Sequence, residues 1–407
     1  MLDYATKPID VVNKEGEWLY TYRYEPYLKK WFFIKPDMKA DLILLEDKDV
    51  PEVIKKECEK KDYPVINSYI NPIKVQIQIN KKCNCRCKMC YASSDILNQD
   101  EFSLEELEQV IIRLKSLGVI RINYVGGEPF FKKDFIEICR MTRKHHLLYS
   151  FITNAIIPGS NIEKYAEVID NAFNIQVSCN GYEDSYLNEY GINNWEMAKK
   201  GMTNVVQRAK TCILSYVITE SNYKDISRFI EFANIIKPTV VKFGSVCFSG
   251  RAKDDKGYDY YKNIIPIAKL QIERMREKYP DLKIQSQLDM GTETPLWEEY
   301  KNGYRPFEFY FSPEAHDGFY VNAKGYIYPF PLLSENEEFI AGKITDDLEK
   351  IWQTSDVFAR IREVKFEETA CGKLGCKKVC GLWTRSYAYS WSKDLYGKVP
   401  CEMTDWK

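Results

Sequence analysis

The sequence lacks several features that would assign it to a class of protein. It has no uninterrupted apolar run of roughly 18 residues, as a membrane span needs, and its first residues show no basic segment followed by an apolar one, as in a secretory signal. Lys and Arg number 58 against 59 Asp and Glu, so the basic excess typical of nucleic-acid-binding chains is missing. We therefore expect a cytoplasmic protein with no membrane or nucleic-acid partner.

Low-complexity segments and internal repeats are missing as well. The 407 residues are 45% hydrophobic and 29% charged, which is ordinary globular composition and excludes a disordered or fibrous chain. This length allows about two to three domains.

Cysteine, by contrast, is abundant and clustered. The chain has 13 cysteines, too small a fraction for a disulfide scaffold, and we expect a reducing compartment. Clustered cysteines in such a compartment indicate metal binding or chemistry. The two groups are Cys83, Cys85, Cys87 and Cys90, and then Cys371, Cys376, Cys380 and Cys401.

From residue 73 the sequence alternates between strand and helix patterns. Six alternations predict an α/β fold with a parallel sheet, wound as an open sheet or a barrel, and because the strand count is below eight we expect a partial (β/α)6 barrel. Since the chemistry of such folds lies at the carboxyl ends of strands, the loops after the first two strands are the informative ones. The predicted strands are 73–79, 119–125, 147–153, 173–178, 212–219 and 240–246, and the predicted helices are 104–117, 133–145, 161–169, 194–210 and 224–236.

Four regions follow from these patterns. Residues 1–70 form a β-rich extension with strands at 18–24 and 30–35 and a helix at 50–61, and residues 71–255 form the parallel-sheet domain. Residues 256–312 are a linker containing a helix near 259–278. Residues 313–407 form a cysteine-rich domain that begins with a hairpin at 316–330 and a helix at 348–364.

The first cysteine group follows the first predicted strand. A structural zinc ion would need Cys85 as a fourth ligand, and four thiolates in one short loop would struggle to surround one ion tetrahedrally. Three spaced cysteines suit an iron–sulfur cluster that keeps one iron open for a substrate or cofactor.

The segment 83–91, CNCRCKMCY, resembles the signature of the radical S-adenosylmethionine (SAM) superfamily, C-x3-C-x2-C followed by an aromatic residue. The resemblance implies that Cys83, Cys87 and Cys90 hold a [4Fe-4S] cluster whose open iron binds SAM. Reductive cleavage of SAM would then yield a 5′-deoxyadenosyl radical that abstracts hydrogen from a substrate. It also implies an electron donor such as flavodoxin or ferredoxin, and we expect Cys85 to point away from the cluster.

Further segments at strand ends fit the same family. Gly126-Gly127-Glu128-Pro129 resembles its SAM-binding motif, since glycines permit close backbone approach and a carboxylate or carbonyls accept bonds from an ammonium. Gly250-Arg251-Ala252 resembles a turn near SAM. The residues that the resemblance assigns to SAM binding are Gly126, Gly127, Glu128, Pro129, Asn154, Ser178, Asn180 and Arg251.

The region from 313 to 401 resembles the SPASM/twitch extension of that superfamily. Phe330 and Thr384 occupy two positions where the extension has cysteines, so its first auxiliary cluster is predicted to be absent. The four remaining thiolates could hold one fully ligated [4Fe-4S] cluster, with tetrahedral zinc as the alternative. They belong to Cys371, Cys376, Cys380 and Cys401.

The substrate is the least determined part of the prediction. Many SPASM-bearing enzymes modify ribosomally made peptides, and residues 1–70 could bind a leader peptide or form a lid. The alternatives are a radical SAM enzyme acting on a sugar, nucleoside or tetrapyrrole, and a non-catalytic iron–sulfur or zinc protein. Cys247 and Cys179 follow predicted strands at the active-site edge, so we consider each a candidate hydrogen donor to a substrate radical.

Overall fold

The computed structural model describes residues 3–26, 28–38, 43–58, 60–61, 68–192, 195–252, 262–288, 315–375 and 385–399. Cys376, Cys380, Thr384 and Cys401 lie outside the described residues, as does part of the predicted linker. Within the described ranges no helix combines the length and apolarity needed to cross a membrane.

The amino-terminal region is built mainly from antiparallel strands. The predicted strands near 18–24 and 30–35 are confirmed, and the helix is shorter than predicted. A four-stranded sheet has the order β2-β3-β4-β5, and β1 pairs with β6. The elements are β1 (Asp3–Tyr4), β2 (Ile9–Val12), β3 (Trp18–Glu25), β4 (Lys30–Ile34), β5 (Ile43–Leu45), α1 (Glu52–Glu57) and β6 (Lys60–Lys61).

A parallel sheet follows, with all six predicted strands in sequential order. Its strands are β7 (Lys74–Gln78), β8 (Arg121–Val125), β9 (Leu148–Thr153), β10 (Ile175–Ser178), β11 (Cys212–Ile218) and β12 (Val240–Ser245), extended by β13 (Ile284–Ser286). The accompanying helices are α2 (Leu104–Leu117), α3 (Phe135–Lys144), α4 (Ile156–Ser160), α5 (Ala166–Asp170), α6 (Asp184–Tyr190), α7 (Trp195–Arg208), α8 (Ile226–Ile236) and α9 (Ile265–Lys278).

Local sequence signals explain where α2 begins and ends. Ser103 and Glu106 form the predicted capping box, each side chain accepting from the other's backbone N–H. Gly118 ends the helix with a φ of 100°, which glycine adopts without the steric cost of a Cβ. The prediction fails further along, because only the last part of the helix predicted at 161–169 is helical, in α5, and α4, α6 and β13 were not predicted.

The carboxyl-terminal region joins the same sheet. β14 pairs in parallel with β7, so the predicted hairpin continues a ten-stranded mixed sheet. The helix predicted at 348–364 is broken at Ser355, whose backbone is extended. The elements are β14 (Gly318–Val321), β15 (Tyr326–Tyr328), β16 (Gly342–Lys343), α10 (Leu348–Thr354), α11 (Asp356–Arg362), α12 (Ala370–Lys373) and α13 (Arg385–Ser392).

The two faces of the parallel sheet differ in chemistry. The outer face is apolar and packs against helices: Tyr124 contacts Phe135 of α3, with ring centroids 6.0 Å apart, and Phe243 contacts Phe229 of α8 at 5.7 Å. Strand register places Tyr124 and Phe243 on the same face. Among the described residues, the helices of this region pack on one face of the sheet, which is consistent with a partial (β/α) barrel rather than a doubly wound sheet.

The amino-terminal sheet packs against the amino ends of the parallel strands. Phe32 and Ile34 of β4 form one buried cluster with Ile73, Leu148 and Phe173, which lie at or just before the starts of β7, β9 and β10. The inner face of the parallel sheet is therefore covered at its amino end, opposite the cysteine loop.

Candidate active site: the cysteine loop and its supports

The first cysteine group lies in a loop, residues 79–102, that leaves and returns to the carboxyl end of β7. Its backbone closes on itself, because the Lys81 N–H donates to the Asp100 carbonyl at 2.8 Å and the Cys83 N–H to the Asp95 carbonyl at 3.0 Å. Cys83 is buried, whereas Cys87 is half-buried. The predicted position of this loop at the carboxyl edge of the sheet is confirmed.

The glycines after β8 press against the start of this loop. The Gly127 N–H donates to the Asn80 carbonyl at 3.0 Å, and the Glu128 N–H to the Lys82 carbonyl at 3.0 Å. A Cβ at Gly127 would lie 2.2 Å from the Lys82 carbonyl oxygen and 2.8 Å from the Cβ of Cys83. The sequence requires glycine here because the backbones of the two loops touch.

Glu128 joins the loops that follow β8 and β9. Its buried carboxylate accepts from the Thr153 hydroxyl at 2.7 Å, from the Asn154 N–H at 2.9 Å and from the Phe130 N–H at 3.3 Å. Burial raises the pKa of Glu128 to about 7, although these hydrogen bonds favour the charged form. Both carboxylate oxygens of Glu128 thus accept hydrogen bonds from the chain itself. The family resemblance did not indicate this structural role.

Asparagines at the ends of β9 and β10 contact the cysteine loop directly. The Asn154 amide donates to Asn84 Oδ1 at 2.9 Å and to Cys85 Sγ at 3.5 Å. The Asn180 amide nitrogen lies 3.9 Å from the sulfur of Met89. Both predicted positions therefore lie at the loop.

Arg251 and Gly250 hold the loop from the end of β12. The Arg251 guanidinium donates to the Cys87 carbonyl at 2.7 Å and to the Ser94 carbonyl at 2.8 Å. The backbone N–H of Arg251 donates to the Cys90 carbonyl at 3.1 Å. Gly250 has a φ of 60°, and a Cβ there would lie 2.4 Å from the Cys90 carbonyl oxygen. The observed contacts of this turn are to the loop backbone.

Helix α6 provides a support that sequence reasoning missed. The Arg86 N–H donates to the Tyr190 carbonyl at 2.9 Å, and the Lys88 N–H donates to the Glu189 carbonyl at 3.1 Å. These carbonyls lie at the end of a helix, where intrahelical partners are lacking. Gly191, with a φ of 63°, is the sequence signal that could have revealed this helix end.

The thiol chemistry of the loop fits a cationic metal group. Burial, followed by the nearby Cys90 and Cys83, raises the pKa of the Cys87 thiol well above its usual range. Thiolates at Cys83, Cys87 and Cys90 would need compensating positive charge, which the core of an iron–sulfur cluster would supply. Within the described ranges, no three His, Cys, Asp or Glu side chains are grouped so that they could hold a single metal ion.

Cys85 has partners of its own beside this group. It is buried, its N–H donates to Cys83 Sγ at 3.3 Å and its sulfur accepts from Asn154. Hydrogen bonding to Cys83, then burial, raises the pKa of the Cys85 thiol. These contacts agree with the expectation that Cys85 is not a ligand, which stays a prediction.

Residues 77–233, which span this loop and its supports other than Gly250 and Arg251, match the family model of the Radical SAM superfamily. The chain carries a radical SAM domain. It is therefore an enzyme of the radical SAM type, and its reaction on a substrate is open.

Relatives and solved structures extend the likeness beyond the radical SAM domain. The mycofactocin maturase MftC of Mycobacterium tuberculosis (strain ATCC 25618 / H37Rv) is 22% identical over 329 residues, covering 76% of this chain and 77% of the relative. The sporulation killing factor maturation protein SkfB of Bacillus subtilis (strain 168) is 24% identical over 322 residues, covering 76% and 70%. The crystal structure of Streptococcus suis SuiB bound to precursor peptide SuiA superposes with a TM-score of 0.65 at 15% identity, covering 99% of both chains, which shows a shared fold.

The two candidate hydrogen donors, Cys179 and Cys247, differ in how deeply they are buried. Ser178 ends β10, where it pairs with Ser215. Cys179 is fully buried and its thiol donates to the Gly181 carbonyl at 3.5 Å, whereas Cys247 is only partly buried. A hydrogen donor must reach the substrate, so the structure favours Cys247 over Cys179, and the donor role itself stays a prediction.

The second cysteine group is described in part. Cys371 is buried in α12, whose first turn is capped by the Thr369 side chain. Phe330, at one position where the SPASM/twitch pattern has cysteine, immediately precedes a short 3-10 helix. The auxiliary cluster therefore stays a prediction.

Proposed function

We propose that this protein is a radical SAM enzyme that modifies a ribosomally made peptide by crosslinking, epimerisation or oxidation. The observation that supports this most strongly is the superposition with SuiB, bound to its precursor peptide, over 99% of both chains. The names of the relatives MftC and SkfB, both called maturation proteins or maturases, point the same way.

The residues that would hold the first cofactors lie in and around the cysteine loop. Cys83, Cys87 and Cys90 would ligate a [4Fe-4S] cluster, which supplies the electron for reductive cleavage of SAM when bound. Asn154 and Arg251 orient the loop through the hydrogen bonds given above. Ser178 and the residues 126–129 border the proposed SAM position.

A second [4Fe-4S] cluster, in a SPASM/twitch-like domain over 313–407, belongs to the same proposal. Its ligands would be Cys371, Cys376, Cys380 and Cys401, and a fully ligated cluster would relay electrons or stabilise the fold. Flavodoxin or ferredoxin is the proposed class of electron donor.

Residues 1–70 are proposed to bind the leader segment of the peptide. In the sheet order β2-β3-β4-β5, β2 and β5 are the edges, and an extended peptide can add as a further strand at such an edge. Val12 of β2 and Ile43 of β5 expose 44% and 42% of their surface, which offers apolar contact to an added strand.

The test uses the anaerobically reconstituted full chain with SAM, dithionite and each short peptide encoded beside its gene. We expect one peptide to stimulate 5′-deoxyadenosine formation and to change in mass or to incorporate solvent deuterium. Cys87→Ala is the control, which should leave the peptide unchanged. If sugars, nucleosides or tetrapyrroles stimulate SAM cleavage and no peptide is altered, the peptide proposal fails.

A further inference from the structure

The inner face of the parallel sheet carries a series of polar side chains, interspersed with apolar ones such as Ile152, Ile213 and Val217. Strand pairing aligns its side chains in two rows, and each row lies on the face opposite the helices because its members alternate with the buried outer residues. The rows are Gln76, Asn123 and Ser150, and then Ser178, Ser215, Lys242 and Gln285.

This polar face is connected to the cysteine loop. The side chain of Tyr91, next to Cys90, lies beside Gln76, and the Asn123 amide donates to Gln76 Oε1 at 3.2 Å. A ligand on the inner face would thus lie beside the residues that hold the proposed cluster.

Lys242 is the unusual member of this face. Its side chain is exposed, and strand register places it on the inner face, so the surface it exposes faces the concave side of the sheet. Its neighbour Phe243 points the other way, into the helix layer. Burial, followed by the ammonium of Lys74, lowers the pKa of Lys242.

Lys74 and Arg121, the other cations on the inner face, lie near a carboxylate, whereas Lys242 forms no ion pair with a described residue. Lys74 forms an ion pair with Asp317 at 2.6 Å. Arg121 lies near the same carboxylate, with its guanidinium 4.8 Å from the Phe173 ring centroid. Two ammonium groups that face each other repel, and an anion bound between them stabilises both.

We propose that Lys242 binds a carboxylate of the substrate, carried by an acidic side chain or by the peptide's carboxyl terminus. Register places Lys242 two strands from Ser178 and level with it, about 10 Å along the sheet. A carboxylate at Lys242 therefore orients the neighbouring part of the peptide toward the proposed SAM position. Lys242 is a specificity-determining residue, and the inference rests on the proposed function for the peptide nature of the substrate.

The test compares two capped pentapeptides, Gly-Gly-Glu-Gly-Gly and Gly-Gly-Gln-Gly-Gly, with an uncapped-carboxyl pentaglycine as a third probe. Their affinities for the reconstituted full chain are measured by saturation-transfer NMR titration. The variants are Lys242→Met, Lys242→Arg and, as matched control, Lys200→Met, which removes an exposed ammonium on α7. Iron content and circular dichroism confirm that each variant is folded.

We expect the wild type to bind a carboxylate probe at least about tenfold more tightly than the glutamine peptide. Lys242→Met should abolish this preference, Lys242→Arg should retain most of it, and Lys200→Met should leave it unchanged. Preference for the glutamate peptide identifies a side-chain carboxylate, and preference for pentaglycine identifies the terminus. Equal affinity for all three probes, or a preference that survives Lys242→Met, overturns the proposal.

A second arm separates the substrate carboxylate from that of SAM. SAM affinity, measured by equilibrium dialysis, should change less than about twofold in Lys242→Met, because removal of one contact would cost more. A loss of SAM affinity with an unchanged probe preference would assign Lys242 to SAM and overturn the inference. Failure of the proposed function is recognised separately, as wild-type protein that alters no peptide although sugars, nucleosides or tetrapyrroles stimulate its SAM cleavage.

Discussion

The two cysteine groups differ in how the chain positions them. The first group lies in a loop that begins directly at β7 and is held by the ends of β8, β9, β10 and β12 and by the carbonyls of α6. Of the second group, the described residue Cys371 lies in a four-residue helix, α12, which follows the last strand of the sheet along the chain. Sheet topology positions the first group, whereas the helix of Cys371 is held by a later segment of the chain, the Ala370 N–H donating to the Tyr396 carbonyl at 2.8 Å.

Replacing a single cysteine of the first group should have the largest effect and tests the difference between the two groups most clearly. We expect Cys87→Ala to abolish 5′-deoxyadenosine formation, because the three proposed ligands act as a unit. Cys85→Ala should retain it, since Cys85 is bound by Asn154. Product is measured by liquid chromatography after reduction with dithionite, and activity in Cys87→Ala above the no-enzyme level would contradict the assignment.

A change in the second group should leave SAM cleavage intact. From the two ligand sets we expect about eight irons per reconstituted chain and about four in Cys371→Ala. That variant should still form 5′-deoxyadenosine but should fail to modify the peptide. Four irons plus one zinc in the wild type would show that the second group is a structural zinc site.

Glu128, which supports the first cysteine group, should make the stability of the folded chain depend on pH. Because its folded-state pKa of about 7 lies above the ordinary 4.5, the folded chain holds this proton more tightly than the unfolded chain. Its contribution to stability is therefore complete below pH 4.5 and is lost as the pH rises toward 7, by up to about 3 kcal/mol. Urea unfolding of the metal-free chain at pH 5 and 7.5 should show the wild type losing stability relative to Glu128→Gln. Parallel pH dependence of the two proteins would disprove this.

Arg251 tests the hydrogen bonds that hold the first group. Arg251→Met removes two charge-assisted bonds to loop carbonyls, so we expect a several-fold loss in the rate of SAM cleavage and faster loss of iron to a chelator. Arg251→Lys should restore little, because an ammonium cannot reproduce the fork that reaches Cys87 and Ser94 together. Arg140→Met, which breaks an exposed ion pair on α3, is the matched control.

Local patterns predicted much of this architecture, and the failures have a common cause. The alternating strand at 74–78, the capping box at Ser103 and the close-packed Gly127 are properties of short segments, and all are found. Short elements such as β5 and α6 carry too little periodicity to be recognised.

The site was predicted as positions rather than as contacts. Motif spacing located Glu128 and Arg251, but their partners Thr153 and Cys87 come from other strands, which only the folded chain brings together. No sequence motif surrounds Lys242. Its place on the inner face follows from the register of β11 and β12, which pairs it with Ser215.

The central claim is that Cys83, Cys87 and Cys90 hold a cluster with an open iron that binds SAM. The most direct measurement is the electron paramagnetic resonance spectrum of the reduced Cys371→Ala variant, in which the first cluster alone should remain, recorded before and after SAM is added. The account predicts a [4Fe-4S]⁺ signal whose g-values shift with SAM and that is missing when Cys83, Cys87 and Cys90 are all replaced by Ala. A signal that SAM leaves unchanged, or one that survives the triple replacement, would contradict it.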